Sequence, residues 1–592
     1  MMDVIEKINF AKAEDKEVYW HTTAHILAVA VKRLYPTTTI AIGPAIENGF
    51  YYDFDNLNIN EEELPKIEEE MRKIIKEKLP MKKEVVDKKK ALLTFKKEKY
   101  KVELINDLPA GEEISLYHLG KEFTDLCRGP HLANTGLVGE VKLLSIAGAY
   151  WRGNEKNKML TRIYGISFPD KKQLRVYLDF LEEAKRRDHR KLGKKLDLFV
   201  FSELVGPGLP LWTPHGNTFR NEIINFSREL QTEIGYQEVH TPQITRAELF
   251  KISGHYNKYK DDMFKVISNY TKDEYFLKPM NCPNHIQIYA SLPRSYKDLP
   301  LRYADFAMLY RDEKPGELSG LARVRAFSQD DGHCFCTPEQ MKGEFLNVLK
   351  CINIALKVYG LNYYVRLSLR DENAKEKYLG NDEIWNKAQA ALKDLLKSEK
   401  IGFVEALGEA AFYGPKMDII AKDALGREWQ ISTIQLDLNL PERFELKYTD
   451  KDNTEKRPIM IHRALIGSPE RFGAVLIEHF AGKFPLWLNP RQVLVVPVAD
   501  TFNKYAEGVH KELKKEGLRA DIDTREITLN KKIRDGELLY YNYILVVGEK
   551  EASTKSVNAR IRDTKAQKTI TTKEFKEKVL KEYKERALKS SF

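Results

Sequence analysis

Residues 310–336 read YRDEKPGELSGLARVRAFSQDDGHCFC, and this stretch decides how the fold is interpreted. Arg311 and Arg323 stand about twelve residues apart, a separation that suits the two arms of a β-hairpin. Arginine binds phosphate oxygens through paired hydrogen bonds, and a nearby aromatic side chain such as Phe327 can stack on a purine. The stretch therefore predicts a nucleotide-binding hairpin, with solvated surface charge as the alternative.

The composition is that of a large protein with packed cores. The chain has 592 residues, of which 42% are hydrophobic and 31% charged. At roughly 100–200 residues per domain, about three to five domains are expected. Five cysteines are too few for a disulfide scaffold and favour a reducing, cytoplasmic location. A net charge of +10 permits a polyanionic partner without requiring one.

The sequence also excludes several classes of protein. No apolar run reaches the roughly 18 residues of a membrane span, so no membrane association is expected. Asp3 and Glu6 interrupt the N-terminus where a signal peptide would be apolar. Membrane, secreted, fibrous and disordered proteins are thereby excluded.

The pattern along the chain predicts four parts. These are a block at 1–172, an amphipathic linker helix at 173–190, a mixed α and β block with a largely antiparallel sheet at 191–487, and a tail at 488–592. In the first block, apolar residues recur at helical spacing from Trp20 to Val31, and Pro36 ends that helix. The charged run from Glu61 predicts an amphipathic surface helix.

The tail has the pattern of a small α/β domain. VLVVPV at 493–498 and YILVVG at 543–548 are continuous apolar runs, typical of buried parallel strands, and Gly517 ends a helix between them. Residues 489–592 hold 23 Lys+Arg and 16 Asp+Glu, so +7 of the net charge lies here. A module that faces a polyanion is one interpretation, and a solvated surface is the other.

Two clusters of reactive side chains lie in the first block. HTTAH places His21 and His25 on one helix face, because residues four apart align, and DLCRGPH supplies Asp125, Cys127 and His131. The set suits metal binding or acid–base chemistry, with polar histidines on a helix surface as the alternative. The sequence contains no HExxH zinc motif, no Walker phosphate loop and no GxGxxG after a strand.

The central block holds candidates that spacing alone does not group. Cys282 occurs in LKPMNCPNH, and His462 and Arg471 occur in MIHRALIGSPERFG. Cys282, His333 and His462 are too far apart along the chain to form a metal-ligand motif. The other cysteines are interpreted as small buried apolar residues, namely Cys334, Cys336 and Cys351.

Together these motifs closely resemble those of bacterial-type threonyl-tRNA synthetases, in order and over essentially the whole chain. HTTAHIL and DLCRGPH look like the family's editing domain, VHTPQI like motif 1 of class II synthetases, YRDE…RVRAF like motif 2 and GSPERF like motif 3. NKKIRDGELLYYNYILVVG, from Asn530, looks like its anticodon-binding domain. The chain departs from the pattern by beginning without a small ubiquitin-like domain, and by carrying Ile431 and Ser432 where smaller or different residues are expected.

The resemblance implies an α+β multidomain fold. An N-terminal α+β editing domain would precede a class II catalytic core with an antiparallel sheet and a C-terminal α/β anticodon-binding domain. The implied activity forms threonyl-adenylate from threonine and ATP, transfers the threonyl group to the 3′ end of tRNA(Thr), and hydrolyses mischarged seryl-tRNA(Thr) at the editing site. A homodimer is implied because motif 1 forms the dimer interface in this class.

The resemblance also implies roles at the ATP end of the site. Arg311 would hold the α-phosphate and the substrate carboxylate, Glu313 would accept from the adenine amino group, and Phe327 would stack on the ring. Arg323 and Arg471 would hold the γ-phosphate, with Mg²⁺ bridging the phosphates. Positioning and electrostatics would carry most of the catalysis.

At the threonine end, the family's ligands for one Zn²⁺ per subunit fall on Cys282, His333 and His462. An apolar pocket separates threonine from isosteric valine by only about 100-fold, whereas an open zinc position can bind the threonine hydroxyl. Asp331 would accept the hydroxyl proton. The other pocket residues implied are Gln329, Tyr413, Lys416 and Gln435, of which Gln329 and Lys416 are grouped with Arg311 and Arg471 as catalytic.

Serine lacks only a methyl group, which is worth roughly 10–200-fold in discrimination, so a second, hydrolytic site is needed. The editing residues implied are His21, His25, Lys101, Asp125, Cys127 and His131. His21 or His131 could position the attacking water. The Cys/His set also suits a second zinc ion, but the resemblance favours a metal-free editing site.

Two rival classes are weighed. A non-catalytic RNA-binding relative would have lost an ATP-binding arginine or a zinc ligand, and the sequence retains all of them. A prolyl-type synthetase shares a similar tail, but the zinc trio and the N-terminal editing block argue against it. The basic candidates for anticodon contacts are Lys532, Arg534, Arg560 and Arg562, with solvated charge as the alternative for each.

Overall fold

The computed structural model describes residues 4–5, 8–109 and 111–592. Asp3 and Glu6, which entered the argument against a signal peptide, lie outside these residues. The chain divides into two compact units, Met1–Glu183 and Ala184–Phe592. Within the described residues, none of the helices combines the length and apolar character needed to cross a bilayer.

The first unit combines helices with two small antiparallel sheets. Its helices are α1 (Ala13–Leu34), α2 (Leu64–Glu77), α3 (Lys88–Thr94), α4 (Lys99–Asp107) and α5 (Lys171–Arg187), the last of which continues into the second unit. Its strands are β1 (Val4–Ile5), β2 (Thr39–Ile40), β3 (Ala45–Ile46), β4 (Gly49–Asp55), β5 (Met81–Val86), β6 (Ile114–Leu119), β7 (Phe123–Leu126), β8 (His131–Leu132), β9 (Glu140–Tyr150) and β10 (Met159–Phe168). One sheet has the order β2-β4-β10-β9 with β3 beside β4, and the other has the order β5-β6-β7.

Helix α1 forms much of the core of the first unit. Trp20, Ala24, Leu27 and Val31 are all buried, which confirms the helical spacing, and the helix ends two residues before Pro36. The charged run forms α2, which buries a narrow apolar edge against α1 and β9. The prediction of an amphipathic surface helix is therefore confirmed.

The second unit contains the remaining elements. Its helices are α6 (His189–Lys195), α7 (Pro214–Glu233), α8 (Ala247–Ser253), α9 (His255–Tyr259), α10 (Cys282–Ala290), α11 (Met341–Tyr359), α12 (Asp382–Ser398), α13 (Leu440–Arg443), α14 (Pro469–His479), α15 (Asn503–Lys515), α16 (Leu529–Leu538), α17 (Glu549–Thr554) and α18 (Thr572–Lys584). Its strands are β11 (Phe199–Val200), β12 (Leu211–Trp212), β13 (Gln237–Glu238), β14 (Ile244–Arg246), β15 (Lys265–Val266), β16 (Tyr275–Leu277), β17 (Leu301–Tyr310), β18 (Ala326–Cys336), β19 (Asn362–Leu369), β20 (Phe403–Leu407), β21 (Lys416–Lys422), β22 (Glu428–Asp437), β23 (Tyr448–Thr449), β24 (Glu455–Lys456), β25 (Ile459–Ala464), β26 (Val493–Pro497), β27 (Ala520–Ile522), β28 (Tyr543–Val547), β29 (Ser556–Ile561) and β30 (Gln567–Thr571).

The predicted linker helix differs from the structure at its C-terminal end. α5 ends at Arg187, and a new helix, α6, begins at His189. Asp188 separates them because its carboxylate accepts a hydrogen bond from the backbone N–H of Arg190 at 2.8 Å, which caps α6. The segment 173–190, expected to form one helix, therefore contains the end of α5 and the start of α6.

An eight-stranded sheet, in the order β13-β17-β18-β25-β22-β21-β19-β20, dominates the second unit. Only the outermost pairs, β13 with β17 and β19 with β20, are parallel, which confirms the largely antiparallel core. Helices α7, α11, α12 and α14 cover one face and bury it. Cys334, Cys336 and Cys351 belong to that apolar core, as predicted.

Alternation along β18 divides its polar residues between the two faces. Successive side chains of a strand point to opposite sides, so Asp330 lies on the helix-covered face and Asp331 and His333 on the other. The buried Asp330 carboxylate pairs with Arg463 at 2.5 Å. It also accepts the backbone N–H of Leu465 at 3.1 Å, which fixes the turn that leads into α14.

The tail folds as predicted. Its sheet has the order β27-β26-β28-β29-β30, and the two continuous apolar runs form β26 and β28, which pair in parallel. α15 ends just before Gly517, whose φ of 84° is the left-handed conformation that glycine adopts without strain.

Candidate active site

The predicted hairpin forms, but its arginines are arranged differently from the expectation. Arg311 directly follows β17, and its backbone N–H donates to the carbonyl oxygen of Arg325 at 2.9 Å. Arg323 lies in the connecting loop, where it pairs with Glu313 at 2.8 Å and Glu317 at 2.7 Å. The prediction that Arg311 and Arg323 occupy the two arms is therefore corrected, because the loop turns before Arg325.

A cavity of about 510 Å³ opens between this hairpin and the start of α14, within the range of small-molecule sites. The side chains that line it include Arg311, Glu313, Arg323, Phe327, Gln329 and Arg471. These are six of the residues that the sequence analysis selected. The structure thus brings together residues from both sides of the hairpin loop and from the GSPERF segment.

Two arginine side chains face this cavity, of which Arg311 is half-buried and Arg471 is exposed. Partial desolvation in the cavity lowers the pKa of both, and the nearby Arg323 lowers that of Arg471 further. The Arg311 guanidinium lies 5.1 Å from the ring centre of Phe327. Among the residues that the structure describes, no acidic side chain forms an ion pair with either arginine. Two guanidinium groups that face one cavity without acidic partners favour an anionic ligand.

The start of α14 adds to the positive potential. Ser468 caps this helix of 11 residues, and its hydroxyl accepts the backbone N–H of Arg471 at 3.3 Å. Both residues line the cavity. The exposed N–H groups of a helix N-terminus favour phosphate oxygens, so this end of the cavity suits a polyphosphate.

A row of polar side chains crosses the face of the sheet opposite to the helices α7, α11, α12 and α14. His333 on β18 opposes His462 on β25, which opposes Gln435 on β22, which opposes Lys416 on β21. Opposed residues of antiparallel strands share a face, so the four side chains lie side by side. The ring of Tyr413 stacks on His462, with centres 4.6 Å apart, and its hydroxyl bonds to Gln435.

Cys282, His333 and His462 form a candidate metal centre. Their ligand atoms all lie within 4.8 Å of one another, and His333 Nε2 is 3.1 Å from His462 Nδ1. The other nitrogen of each ring is already bonded: His333 Nδ1 to His285 at 2.8 Å, and His462 Nε2 to Asp437 at 2.8 Å. Such partners fix the orientation of metal-binding histidines.

The chemistry of this trio fits a soft divalent cation. All three residues are buried, and burial lowers the pKa of His333 and raises that of Cys282. One thiol and two neutral imidazoles are ligands that Zn²⁺ accepts in tetrahedral sites with an open position. Asp331 lies beside them, with Oδ1 3.7 Å from His333 Nε2, and burial raises its pKa to about 7.

The first unit holds the second predicted cluster. The ligand atoms of His21, His25, Cys127 and His131 also lie within 4.8 Å of one another. Cys127 Sγ is 3.1 Å from His131 Nε2 and 3.3 Å from His21 Nε2. Burial and the neighbouring histidine lower the pKa of His21 to about 3. The surface alternative is wrong, because His25 and His131 are buried.

An ion pair supports this cluster. Lys101 and Asp125 are both buried and bond to each other, and Asp125 Oδ2 also lies 3.4 Å from His25 Nε2. Tyr52 donates its hydroxyl proton to Asp125 at 2.7 Å. All six predicted residues are thereby within one continuous polar cluster.

Sequence reasoning missed the residues that orient these sites. His285 follows Cys282 by three positions on α10, and a Cys-x-x-His spacing could have indicated it. Asp437 follows Gln435 by two positions on β22, so strand alternation places both on the same face. Tyr52 carried no such signal, because it lies on β4 and Asp125 lies on β7 of the other sheet, so only tertiary packing brings them together.

Comparisons with known proteins agree with this arrangement. Three family models match: "tRNA synthetase class II core domain (G, H, P, S and T)" at residues 264–480, "Anticodon binding domain" at 492–582, and "Threonyl and Alanyl tRNA synthetase second additional domain" at 114–164. A threonine–tRNA ligase of Porphyromonas gingivalis is 51% identical over 555 residues, 93% of this chain and 85% of that protein. One of Bacteroides fragilis is 51% identical over 570 residues, 95% of this chain and 88% of that protein.

The chain belongs to the threonine–tRNA ligase family. A solved structure described as the RNA binding domain of threonyl-tRNA synthetase from Cryptosporidium parvum is similar to it, with a TM-score of 0.64 and 41% identity over 68% of this chain and 99% of that chain. The class II core, the anticodon-binding domain and the editing-type domain of a threonine–tRNA ligase are all present. The predicted fold class and enzyme class are confirmed, and the prolyl-type and non-catalytic alternatives are set aside.

Ile431 and Ser432, the two residues that depart from the family pattern, both line the cavity of the second unit. Ser432 is fully buried, and its hydroxyl donates to the carbonyl oxygen of Leu465 at 2.5 Å. This contact ties β22 to the turn before α14, so Ser432 supports the position of that turn.

Proposed function

We propose that this chain activates threonine with ATP in the cavity of the second unit, transfers it to tRNA(Thr), and hydrolyses seryl-tRNA(Thr) at the His/Cys cluster of the first unit. One observation carries the synthetic part of the proposal. Arg311 and Arg471 line one cavity without acidic partners among the described residues, and a donor set suited to zinc lies in the same unit, on β18, β25 and α10. The family match supports both parts.

At the ATP end, the side chains supply charge and shape. Arg311 binds the α-phosphate and the threonine carboxylate, so that it offsets the charge that develops at phosphorus during attack. Arg471 and Arg323 bind the γ-phosphate. Phe327, already in contact with Arg311, stacks on adenine, and Glu313 accepts from its amino group. Mg²⁺ would enter as part of the nucleotide substrate and would offset the charge of its phosphates.

At the threonine end, Cys282, His333 and His462 would hold one Zn²⁺, which supplies open positions for the amino and hydroxyl groups of threonine. Asp331 accepts the hydroxyl proton, and its raised pKa makes it a stronger base than an exposed aspartate. Tyr413, Gln435, Gln329 and Lys416 complete the pocket and position the substrate. Lys416 is held by Asp418 at 2.7 Å, so its ammonium group has a fixed direction.

In the editing site, the histidines are proposed to act as neutral imidazoles without a metal. Burial lowers the pKa of His21 to about 3 and that of His25 to about 4, so both rings are neutral at neutral pH and each has one nitrogen free of a proton. They can therefore accept hydrogen bonds from a water molecule or from the ribose hydroxyls of the substrate. Asp125 and Lys101 hold His25 in place, and His21 or His131 positions the attacking water.

The remaining assignments follow the family. We propose domains at 1–172, 191–487 and 488–592 joined by a linker at 173–190, a homodimer formed through motif 1, and a cytoplasmic location. Phe201, Leu204, Val205 and Leu211 are exposed large apolar residues ahead of α7, and such a patch is typical of a protein interface.

Two of the four basic candidates in the tail are proposed to contact the anticodon. Arg534 is exposed and Arg560 is partly exposed, so both can reach an anticodon. Lys532 is buried, so the interpretation of a solvated charge is wrong for it. Arg562 bonds to the carbonyl oxygen of Phe484 at 2.8 Å and to Asp563 at 2.8 Å, which gives it a structural role.

The experiment that tests the proposal is amino-acid-dependent ATP–pyrophosphate exchange. We expect rapid exchange with threonine, slower exchange with serine by roughly 10–200-fold, since serine lacks one methyl group, and none above background with proline. The measurement is the rate of labelled pyrophosphate incorporation at saturating ATP. Exchange with proline and none with threonine would reject the proposed substrate.

The editing proposal predicts a separable defect. His21→Ala combined with His25→Ala should leave threonylation unchanged and let seryl-tRNA(Thr) accumulate, because the two sites use different residues. His118→Ala is the matched control, since this histidine of the same unit bonds to Glu84 outside the cluster. Deacylation of purified seryl-tRNA(Thr) measures the effect, and undiminished deacylation in the double variant rejects the editing site.

The zinc content of the purified protein tests whether the editing site binds a metal ion. One zinc ion per chain supports a metal-free editing site, and two zinc ions per chain contradict it.

A further inference from the structure

His189 is a buried histidine that none of the proposed catalytic roles uses. It is the first residue of α6 and is 5% exposed. Its backbone N–H donates to Glu478 Oε1 at 3.0 Å, and its ring Nδ1 lies 2.6 Å from the same oxygen. Its ring Nε2 lies 3.0 Å from the backbone nitrogen of Leu321, which can only donate. The imidazole therefore links three segments that are far apart in the sequence.

The proton positions in this link follow from its partners. The backbone N–H of Leu321 needs an acceptor, so Nε2 carries no proton. Nδ1 then carries the proton and donates it to the Glu478 carboxylate. Burial acts to raise the pKa of Glu478, but the hydrogen bonds from His189 and the charge of Arg427 outweigh it and leave the pKa lowered. The ring thus has one donor and one acceptor, and each is matched.

The segment held by Nε2 forms a wall of the proposed ATP cavity. Leu321, Ala322, Arg323 and Val324 all line it, and Leu321 is fully buried. Gly320 packs directly on the imidazole: a Cβ there would lie 2.1 Å from Nε2, and its φ is 50°. Only glycine allows the chain to approach the ring this closely.

The partner of Nδ1 belongs to the helix that carries Arg471. Glu478 and Arg471 lie on α14 seven residues apart, which places them on the same helix face. Glu478 Oε2 is also paired with Arg427 at 2.5 Å, so the carboxylate is held from two sides. A rigid contact at Glu478 therefore sets where the loop with Arg323 stands relative to the helix with Arg471.

We propose that His189 is a positioning residue for ATP: it joins the 320–324 loop to α14 so that Arg323 and Arg471 converge on one phosphate group. The inference rests on the proposed ATP site in this cavity. His189 touches neither substrate, so its effect passes through the two arginines. Loss of the link lets the loop move away from α14, which weakens the binding of ATP and leaves the threonine pocket intact.

The test compares variants of the full-length protein by ATP–pyrophosphate exchange. His189→Ala should raise the KM for ATP roughly tenfold, about the effect of one lost hydrogen bond, while the KM for threonine stays unchanged. His189→Gln keeps an acceptor for Leu321 and should recover part of the loss. Gly320→Ala displaces the loop without altering the ring and should reproduce the defect. His510→Ala is the control, since its ring bonds to the carbonyl oxygen of Ala520 away from the cavity, and it should match the unchanged protein.

The outcomes separate this inference from the proposed ATP site. A normal KM for ATP in both His189→Ala and Gly320→Ala, together with a raised KM in Arg471→Ala, overturns the role of His189 and keeps the site. A normal KM in Arg471→Ala as well overturns the site itself. An equal rise in the KM for ATP and for threonine shows general loss of structure and also overturns the positioning role.

Discussion

Arg311→Ala should reduce threonine-dependent ATP–pyrophosphate exchange by about 10²–10³-fold in kcat, the usual effect of removing one preorganised group that stabilises the transition state. Arg311 is half-buried, its guanidinium lies over Phe327, and its charge has no acidic partner among the described residues. The charge is therefore available for the phosphate at which the reaction occurs. Rapid-quench measurement of adenylate formation would separate the chemical step from ATP binding.

Two further variants sharpen this result. Arg311→Lys keeps the charge but loses the paired geometry of the guanidinium, so it should recover only a small part of the rate. Arg457→Ala removes an arginine of the same unit whose partner is Glu442 at 3.5 Å, and it should have no effect. If Arg311→Ala exchanged at the rate of the Arg457→Ala control, Arg311 would have no part in activation.

His333→Ala should abolish both zinc binding and threonine activation. The imidazole of His333 lies within the trio, with Nε2 3.1 Å from His462 Nδ1. Without it, Cys282 and His462 alone should not hold the zinc ion. Altering only a hydrogen-bond partner of a metal ligand costs about 10–100-fold, so loss of a ligand should cost more than about 100-fold in exchange. Zinc content, measured by elemental analysis of the purified protein, should fall from one ion per chain to none.

Two controls guard this prediction against a folding defect. Cys282→Ser keeps the size of the side chain and removes the thiolate, so it should lose zinc and exchange without loss of the thermal transition. His510→Ala should retain both. Full exchange with one zinc per chain in His333→Ala would show that the metal site lies elsewhere. Zinc loss with normal exchange would show that the metal has no role in binding threonine.

Many helices and strands could be predicted because the sequence patterns that indicate them are local. The helical spacing in α1, the mixed charges of α2 and the continuous apolar runs of β26 and β28 each reflect burial on one or both faces, and burial leaves a period in the sequence. The linker helix was misjudged at its end because Asp188, a capping residue, interrupts a stretch whose composition is otherwise helical. Helix ends depend on single hydrogen bonds, which composition does not show.

The candidate site was predicted unevenly for the same reason. Alternation along residues 327–333 already separates Asp331 and His333 from Asp330, because strand geometry is a local property. The positions of Arg311 and Arg323 in the hairpin were harder to predict from the sequence. The place where a loop turns depends on contacts such as those of Arg323 with Glu313 and Glu317. His285 and Asp437 were missed because their importance comes only from what they touch.

The sequence by itself determined the residue types: the paired arginines, the two His/Cys clusters, the order of the motifs and the family they resemble. The tertiary structure decided which of these residues share a site. Cys282, His333 and His462 are separated by long stretches of chain, and only the pairing of β18 with β25 and the approach of α10 bring their ligand atoms within 4.8 Å. Tertiary packing likewise brings His189 into contact with Leu321 and Glu478. Such proximity arises from non-local strand pairing and from the burial of charged groups, and neither leaves a period in the sequence.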